Sequence, residues 1–100
     1  MISLLTTHYF DKWLISLKDR EARRIIRYRL DRIETTGNFG DAKPVGEGIF
    51  EIRIDFSAGY RIYYKKSGNT VVILLCGGIK STQSDDIKKA KGIAKGIKNE

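Results

Sequence analysis

A single histidine, His8, and a single cysteine, Cys76, are all the chain offers of two side chains that carry much nucleophilic and metal chemistry. One cysteine closes no internal disulfide, which suits a reducing compartment. Any Ser-His-Asp or Cys-His device would have to use His8. That residue stands at an expected helix start, while Cys76 lies inside an apolar segment. Long apolar runs are missing as well: the longest, Val71–Cys76, falls far below the ~20 residues that span a bilayer. Met1–Leu5 is short and carries no basic residue, so no secretory leader is read there. Gly46-x-Gly48 has no helix after it, and Gly77-Gly78 lacks the lysine spacing of a phosphate loop. No repeat or low-complexity linker is present. These absences lead to the expectation of a soluble, cytoplasmic protein with no metal, no cofactor and no membrane partner.

Positive charge, by contrast, is in excess. The net charge is +7, split as +2 in residues 1–50 and +5 in residues 51–100. In a chain of 100 residues that is 41% hydrophobic, the charge belongs to one folded domain, 1–100, rather than to a basic tail. A basic domain favours a polyanionic partner, be it nucleic acid, an acidic protein or an anionic membrane surface, and a folded domain favours the first two.

The clearest pattern runs through KPVGEGIFEIRIDFSAGYRIYYKK, Lys43–Lys66. Phe50, Ile52, Ile54 and Phe56 alternate with Glu51, Arg53 and Asp55, the two-residue period of a half-buried strand. Ser57-Ala58-Gly59 interrupts it, and Tyr60–Lys66 alternates again. Pairing Phe56 with Tyr60 across the turn would set Asp55 against Arg61 and Arg53 against Tyr63. One sheet face would then carry Glu51, Arg53, Asp55, Arg61, Tyr63 and Lys65.

Elsewhere the elements follow from spacing. Ile2–Thr6 reads as a short strand. Thr7 caps a helix from His8 to about Lys18, with Phe10, Trp13, Leu14 and Leu17 on one stripe. Asp19 caps a second, Arg20 to about Thr35, burying Ala22, Ile25, Ile26, Leu30 and Ile33; Gly37-Asn38 stops it. Phe39–Gly48, rich in glycine and containing the lone proline, reads as loop. Thr70–Cys76 is apolar after Thr70, as a strand covered on both faces would be, and Gly77-Gly78 reads as its end. Asp85-Asp86 suits the start of a last helix carrying Ile87, Ala90, Ile93, Ala94 and Ile97. The expected class is α+β, in the order β-α-α-β-β-β-α. Its sheet is mainly antiparallel, with helices packed on one face and ionic groups on the other.

That ionic face is where chemistry is expected. Arg53 and Arg61 can hold phosphate through forked hydrogen bonds and stay charged at any working pH. Lys80 follows the last strand, and Tyr63 could stack a base. RNA cleavage by its own 2′-hydroxyl needs alignment, charge neutralisation and a proton for the leaving oxygen, and none of these requires a histidine. The plainer alternative is a wet sheet face with ordinary cross-strand ion pairs, Asp55–Arg61 and Glu51–Lys65.

With these segments in order, GDAKPVGEG, EIRID, GYRIYY and ILLCGG, preceded by FDKWL, the chain closely resembles the HigB-like addiction-module killer proteins of the RelE/ParE toxin superfamily. The resemblance runs from Phe10 to about Lys95. It implies a small RelE-like domain with two N-terminal helices on the sheet, and the toxin of a type II toxin–antitoxin pair. It implies a metal-independent endoribonuclease that cuts messenger RNA on the ribosome. By position, Arg61 matches the family arginine that contacts the scissile phosphate. Arg53 matches a basic residue that assists proton transfer or charge neutralisation, and Lys80 falls near a further family arginine. Lys43, Tyr63 and Lys65, with Arg20, Arg24 and Arg27 on the second helix, are the candidate RNA-binding residues. Glu51 stands where RelE has a lysine, and the tyrosine that follows the last strand of RelE has no counterpart.

Two other readings go with the same resemblance: a ParE-like inhibitor of DNA gyrase, and an inactive module that only binds an antitoxin. In each, a small antitoxin is the expected partner, of the helix-turn-helix DNA-binding kind. In the nuclease reading, messenger RNA on the ribosome is a partner too.

Overall fold

Two side-chain caps fix the N-terminal half of the computed structural model, which describes residues 2–97. Thr7 accepts a hydrogen bond from the Phe10 amide at 3.2 Å and opens helix α1 (His8–Ser16). Its hydroxyl donates to the Leu75 carbonyl at 2.6 Å, which ties the helix start to the sheet. Asp19 accepts from the amides of Glu21 and Ala22 and opens α2 (Arg20–Thr36). Gly37, at φ 74°, closes α2 with its amide on the Ile33 carbonyl.

Five strands are seen among the described residues: β1 (Ser3–Thr6), β2 (Ala42–Gly46), β3 (Ile49–Ile54), β4 (Tyr60–Ser67) and β5 (Val71–Ile79). They form one sheet in the order β1-β5-β4-β3-β2, with β1 parallel to β5 and every other pair antiparallel. A 3₁₀ turn, Lys80–Thr82, leads into α3 (Gln83–Lys95). The α+β class and the mainly antiparallel sheet stand as expected.

Three details differ from the sequence reading. Ala42–Gly46 is an edge strand rather than loop. Its proline is tolerated because an edge leaves one side of the backbone unpaired, and a register shift between Pro44 and Gly46 absorbs the irregularity. Second, helices lie on both faces. The larger core packs Phe10, Ile26 and Ile33 of α1 and α2 against Ile52, Ile54, Ile62, Tyr64 and Leu74. A smaller core under α3 joins Ala90 to Ile49, Tyr63, Leu75 and Cys76. A bulge between Tyr63 and Tyr64 leaves Leu75 unpaired, so that Leu75 and Cys76 both belong to the α3 side.

Third, Gly77 and Gly78 do not end β5. They lie within it, one under each helix layer. A Cβ on Gly77 would stand 2.3 Å from the Trp13 ring, and one on Gly78 would stand 1.8 Å from an Asp86 carboxylate oxygen. Glycine inside a strand here marks two close approaches. Gly77→Ala is expected to cost about 1–3 kcal/mol, because the Trp13 indole must shift from a filled core. Urea unfolding measures it, and an unchanged midpoint would show that the indole has room to move.

Candidate functional site

Arg53 and Arg61 are direct cross-strand partners, and Glu51 is paired with Tyr63 beside them. The pairing is shifted from the one expected, Asp55 with Arg61 and Arg53 with Tyr63. Strand β3 stops at Ile54, which pairs with Tyr60, so Asp55 and Phe56 are used in the turn. The turn closes through Phe56 N–H to the Ile54 carbonyl at 2.9 Å and Gly59 N–H to the Phe56 carbonyl at 3.0 Å. Ser57 and Gly59 hold positive φ of 52° and 77°. Lys65 likewise pairs with Ile49, not with Glu51.

Two like charges opposite each other on one sheet face are unfavourable. Here a carboxylate stands between them. Glu51 is fully buried and accepts from Tyr63 Oη at 3.0 Å, Gln83 Nε2 at 2.7 Å and Arg53 Nε at 3.2 Å. Arg61 Nε approaches the same carboxylate at 4.0 Å. Burial pushes the Glu51 carboxyl up. The bonds from Gln83, Arg53 and Tyr63, with the charge of Arg61, outweigh that and hold it below the usual carboxylate range. Burial and the Glu51 charge together push the Tyr63 hydroxyl far up, so it remains a donor.

The two guanidiniums differ in access. About a third of the Arg53 side chain is exposed. Arg61 keeps 8% of its surface, and its Nε has no hydrogen-bond partner. Its Nη1 reaches the Tyr60 carbonyl at 3.5 Å. Lys80 stands next to it: a Cβ on Gly59 would lie 3.2 Å from Lys80 Cβ and 3.9 Å from Arg61 Nη1. Lys80 is exposed. The turn between β3 and β4 and the start of the α3 segment therefore bring Arg53, Arg61 and Lys80 to one end of the sheet.

Such a cluster suits a phosphate: one part-exposed fork, one exposed ammonium and one guanidinium in a low-dielectric setting. A sequence profile of phage-derived Gp49-like proteins matches residues 12–96. The chain belongs to the Gp49-like family. A Haemophilus influenzae protein of uncharacterised function is 53% identical over 93 residues, which are 93% of each chain. Among solved structures, a chain of the intact E. coli RelBE toxin–antitoxin complex superposes with a TM-score of 0.65 at 20% identity. That match covers 79% of this chain and 96% of the other. The isolated E. coli RelE toxin gives 0.64 at 19% identity, over 89% and 98%. The Gp49-like chain therefore has the RelE fold, as its resemblance implied. Nothing in these likenesses singles out the HigB branch.

The remaining candidates scatter over this Gp49-like domain. Lys43 is exposed on edge strand β2, opposite Glu51. Lys65 lies at the far end of β4 from Arg61. Tyr63 is wholly buried under α3 and bonded to Glu51, so the expected base-stacking role does not hold. Its place in the alternation is right; the last helix was expected, but not its packing over this face of the sheet. Arg20, Arg24 and Arg27 line an open basic concavity at the start of α2, which packs on the opposite sheet face from Glu51. They are not brought together with the arginine pair, and Arg24 is engaged with Glu21.

Two participants were missed. Gln83 reaches Glu51 from the first turn of α3, and Asp86 sits over Gly78, the cross-strand partner of Arg61, taking a hydrogen bond from Thr82. The Gly-Gly pair was the available signal, since a strand glycine often marks close approach.

His8 is exposed and lies against the Tyr9 ring in a tilted arrangement, with centroids 4.1 Å apart. Cys76 is buried, and burial raises its thiol to about 11. Native alkylation by iodoacetamide at pH 8 is therefore expected to be slow, with rapid reaction only in urea. Fast native labelling, read by intact mass, would contradict that placement.

Proposed function

We propose that this Gp49-like chain is the toxin of a type II toxin–antitoxin pair and cuts messenger RNA on the ribosome. The observation that carries the reading is the Arg53–Arg61 pair, set directly across two strands and held by one buried carboxylate. A fold gains nothing in stability by opposing two cations; a phosphate site does gain from it. The RelE fold, the name of the RelBE toxin–antitoxin complex and the basic charge support the same reading.

In this mechanism the RNA 2′-hydroxyl gives its proton to solvent water and attacks the adjacent phosphorus. A 2′,3′-cyclic phosphate forms, and the 5′-oxygen leaves with a proton. Arg53 meets the phosphate first, because it is the more accessible fork. Arg61 behind it supplies charge from a site sheltered from water, where each ionic contact is worth more. Lys80 stands beside the pair as proton donor to the leaving oxygen. Glu51 is fully buried and already accepts three hydrogen bonds, so it orients the arginines rather than touching the substrate. Tyr63, with its raised hydroxyl, serves the same support. The partner protein in this reading is a small antitoxin, of the helix-turn-helix DNA-binding kind, with an acidic or amphipathic segment that covers the basic surface.

The near-burial of Arg61 favours one other reading, a scaffold that binds its antitoxin without cutting. Controlled induction in growing cells separates these. The proposal expects protein synthesis to collapse within minutes while DNA remains undamaged. A DNA-damage response with translation intact would point instead to a gyrase target, and growth without arrest to the inactive scaffold.

A further inference from the structure

At the other end of the α3 face, Lys65, Lys91 and Lys95 surround an open cleft of about 320 Å³ floored by Ile49 and Ala94. Among the described residues its carboxylate is that of Glu47, which pairs with Lys91 at 3.4 Å. Glu47 sits at φ 55° in the turn between two positive-φ glycines, Gly46 and Gly48. A Cβ on Gly46 would stand 3.3 Å from Lys91 Nζ, so the glycine leaves room for the ammonium against the backbone. Lys66 borders the cleft too, but its ammonium lies over the Phe39 and Phe50 rings at 5.5 and 5.1 Å.

The cleft is in line with the arginine pair. Arg61, Tyr63 and Lys65 alternate on one face of β4, which puts Lys65 about 13 Å from Arg61 at strand rise. Exposed Lys43, opposite Glu51 on the edge strand, lies between the two ends. A basic track thus runs from Arg53 past Lys43 to the lysine cleft, along the flank of α3.

We infer that this cleft is a second phosphate subsite, which holds the RNA backbone a few nucleotides away from the bond that is cut. The inference rests on the nuclease reading. Lysine ammoniums are point charges without a fork, and they suit backbone positioning without sequence readout. Among the described residues the floor offers one isoleucine and one alanine, too little to anchor the side chains of an acidic protein partner.

The test uses the full chain and a single-stranded RNA of about twelve nucleotides, 2′-O-methylated throughout so that it cannot be cut. Affinity is measured by fluorescence anisotropy across a salt series. Lys91→Gln with Lys95→Gln is expected to weaken binding about tenfold at low salt and to flatten the salt slope by roughly 1 to 1.5. Lys12→Gln with Lys89→Gln removes the same charge from the other side of α3, and should bind as the wild type does. Equal losses in both doubles would reduce the effect to net charge and overturn the subsite. So would an unchanged affinity in the cleft variant, or a cleft variant that loses only binding to a poly-glutamate peptide. Wild-type protein that binds no RNA would overturn the nuclease reading along with it. RNA-binding wild type with an indifferent cleft variant would remove the subsite alone.

Discussion

Arg61→Ala is expected to slow ribosome-dependent cleavage by about 10²-fold or more, while the domain stays folded. The size follows from where the guanidinium sits. It keeps 8% of its surface, so the charge it offers a developing phosphorane is poorly screened. Its Nε has no hydrogen-bond partner in the fold and loses none by turning to a substrate. The fold should tolerate the change, because Glu51 retains Arg53, Tyr63 and Gln83 as donors. Arg61→Lys should recover only part of the rate, since it restores charge but no fork. Single-turnover cleavage on programmed ribosomes, with urea unfolding alongside, reads both effects. Wild-type rates from a folded Arg61→Ala protein would remove the arginine pair from the mechanism.

Glu51→Ala should have the largest effect on stability, about 3–5 kcal/mol. It strands a buried guanidinium, a buried tyrosine hydroxyl and the Gln83 amide at once, and leaves two arginines facing each other without a counter-charge. Acid sensitivity follows from the same residue. The folded chain holds the Glu51 carboxyl below its ordinary value of 4.5, so the unfolded chain binds the proton more readily. Its contribution is therefore complete above about pH 4.5, and is lost as pH falls through the lower, folded value. Urea midpoints taken from pH 7 to pH 3 should fall more steeply for wild type than for Glu51→Gln. Parallel profiles would show that the carboxylate is not the acid-sensitive keystone.

Much of this was legible in the chain. Strict alternation in Phe50–Phe56 and Tyr60–Lys66 places Glu51, Arg53, Arg61 and Tyr63 on one face whatever the exact register, because a two-residue shift preserves the face. Helix starts at Thr7 and Asp19 are local hydrogen-bond chemistry, and local chemistry reads well from sequence. What was not legible is set by distant packing. The turn takes up Asp55 and Phe56, which no alternation rule reveals. That shift exchanges an expected salt bridge for a pair of opposed arginines. Burial of Tyr63 and Glu51 depends on α3, whose apolar stripe was visible but whose docking face was not. Ala42–Gly46 was hidden by Pro44 and its glycines, residues that an edge strand can accept and an interior strand cannot. The alternation and the family resemblance both pointed to the arginines; only the fold shows one of them part-exposed and the other sheltered.

Primer extension on a defined message in a cell-free translation system tests the central claim most directly. With the protein added and ribosomes translating, new 5′ ends should appear in step with the codons, and the same RNA without ribosomes should stay whole. Full-length message in both reactions, or the same ends in both, would contradict the account.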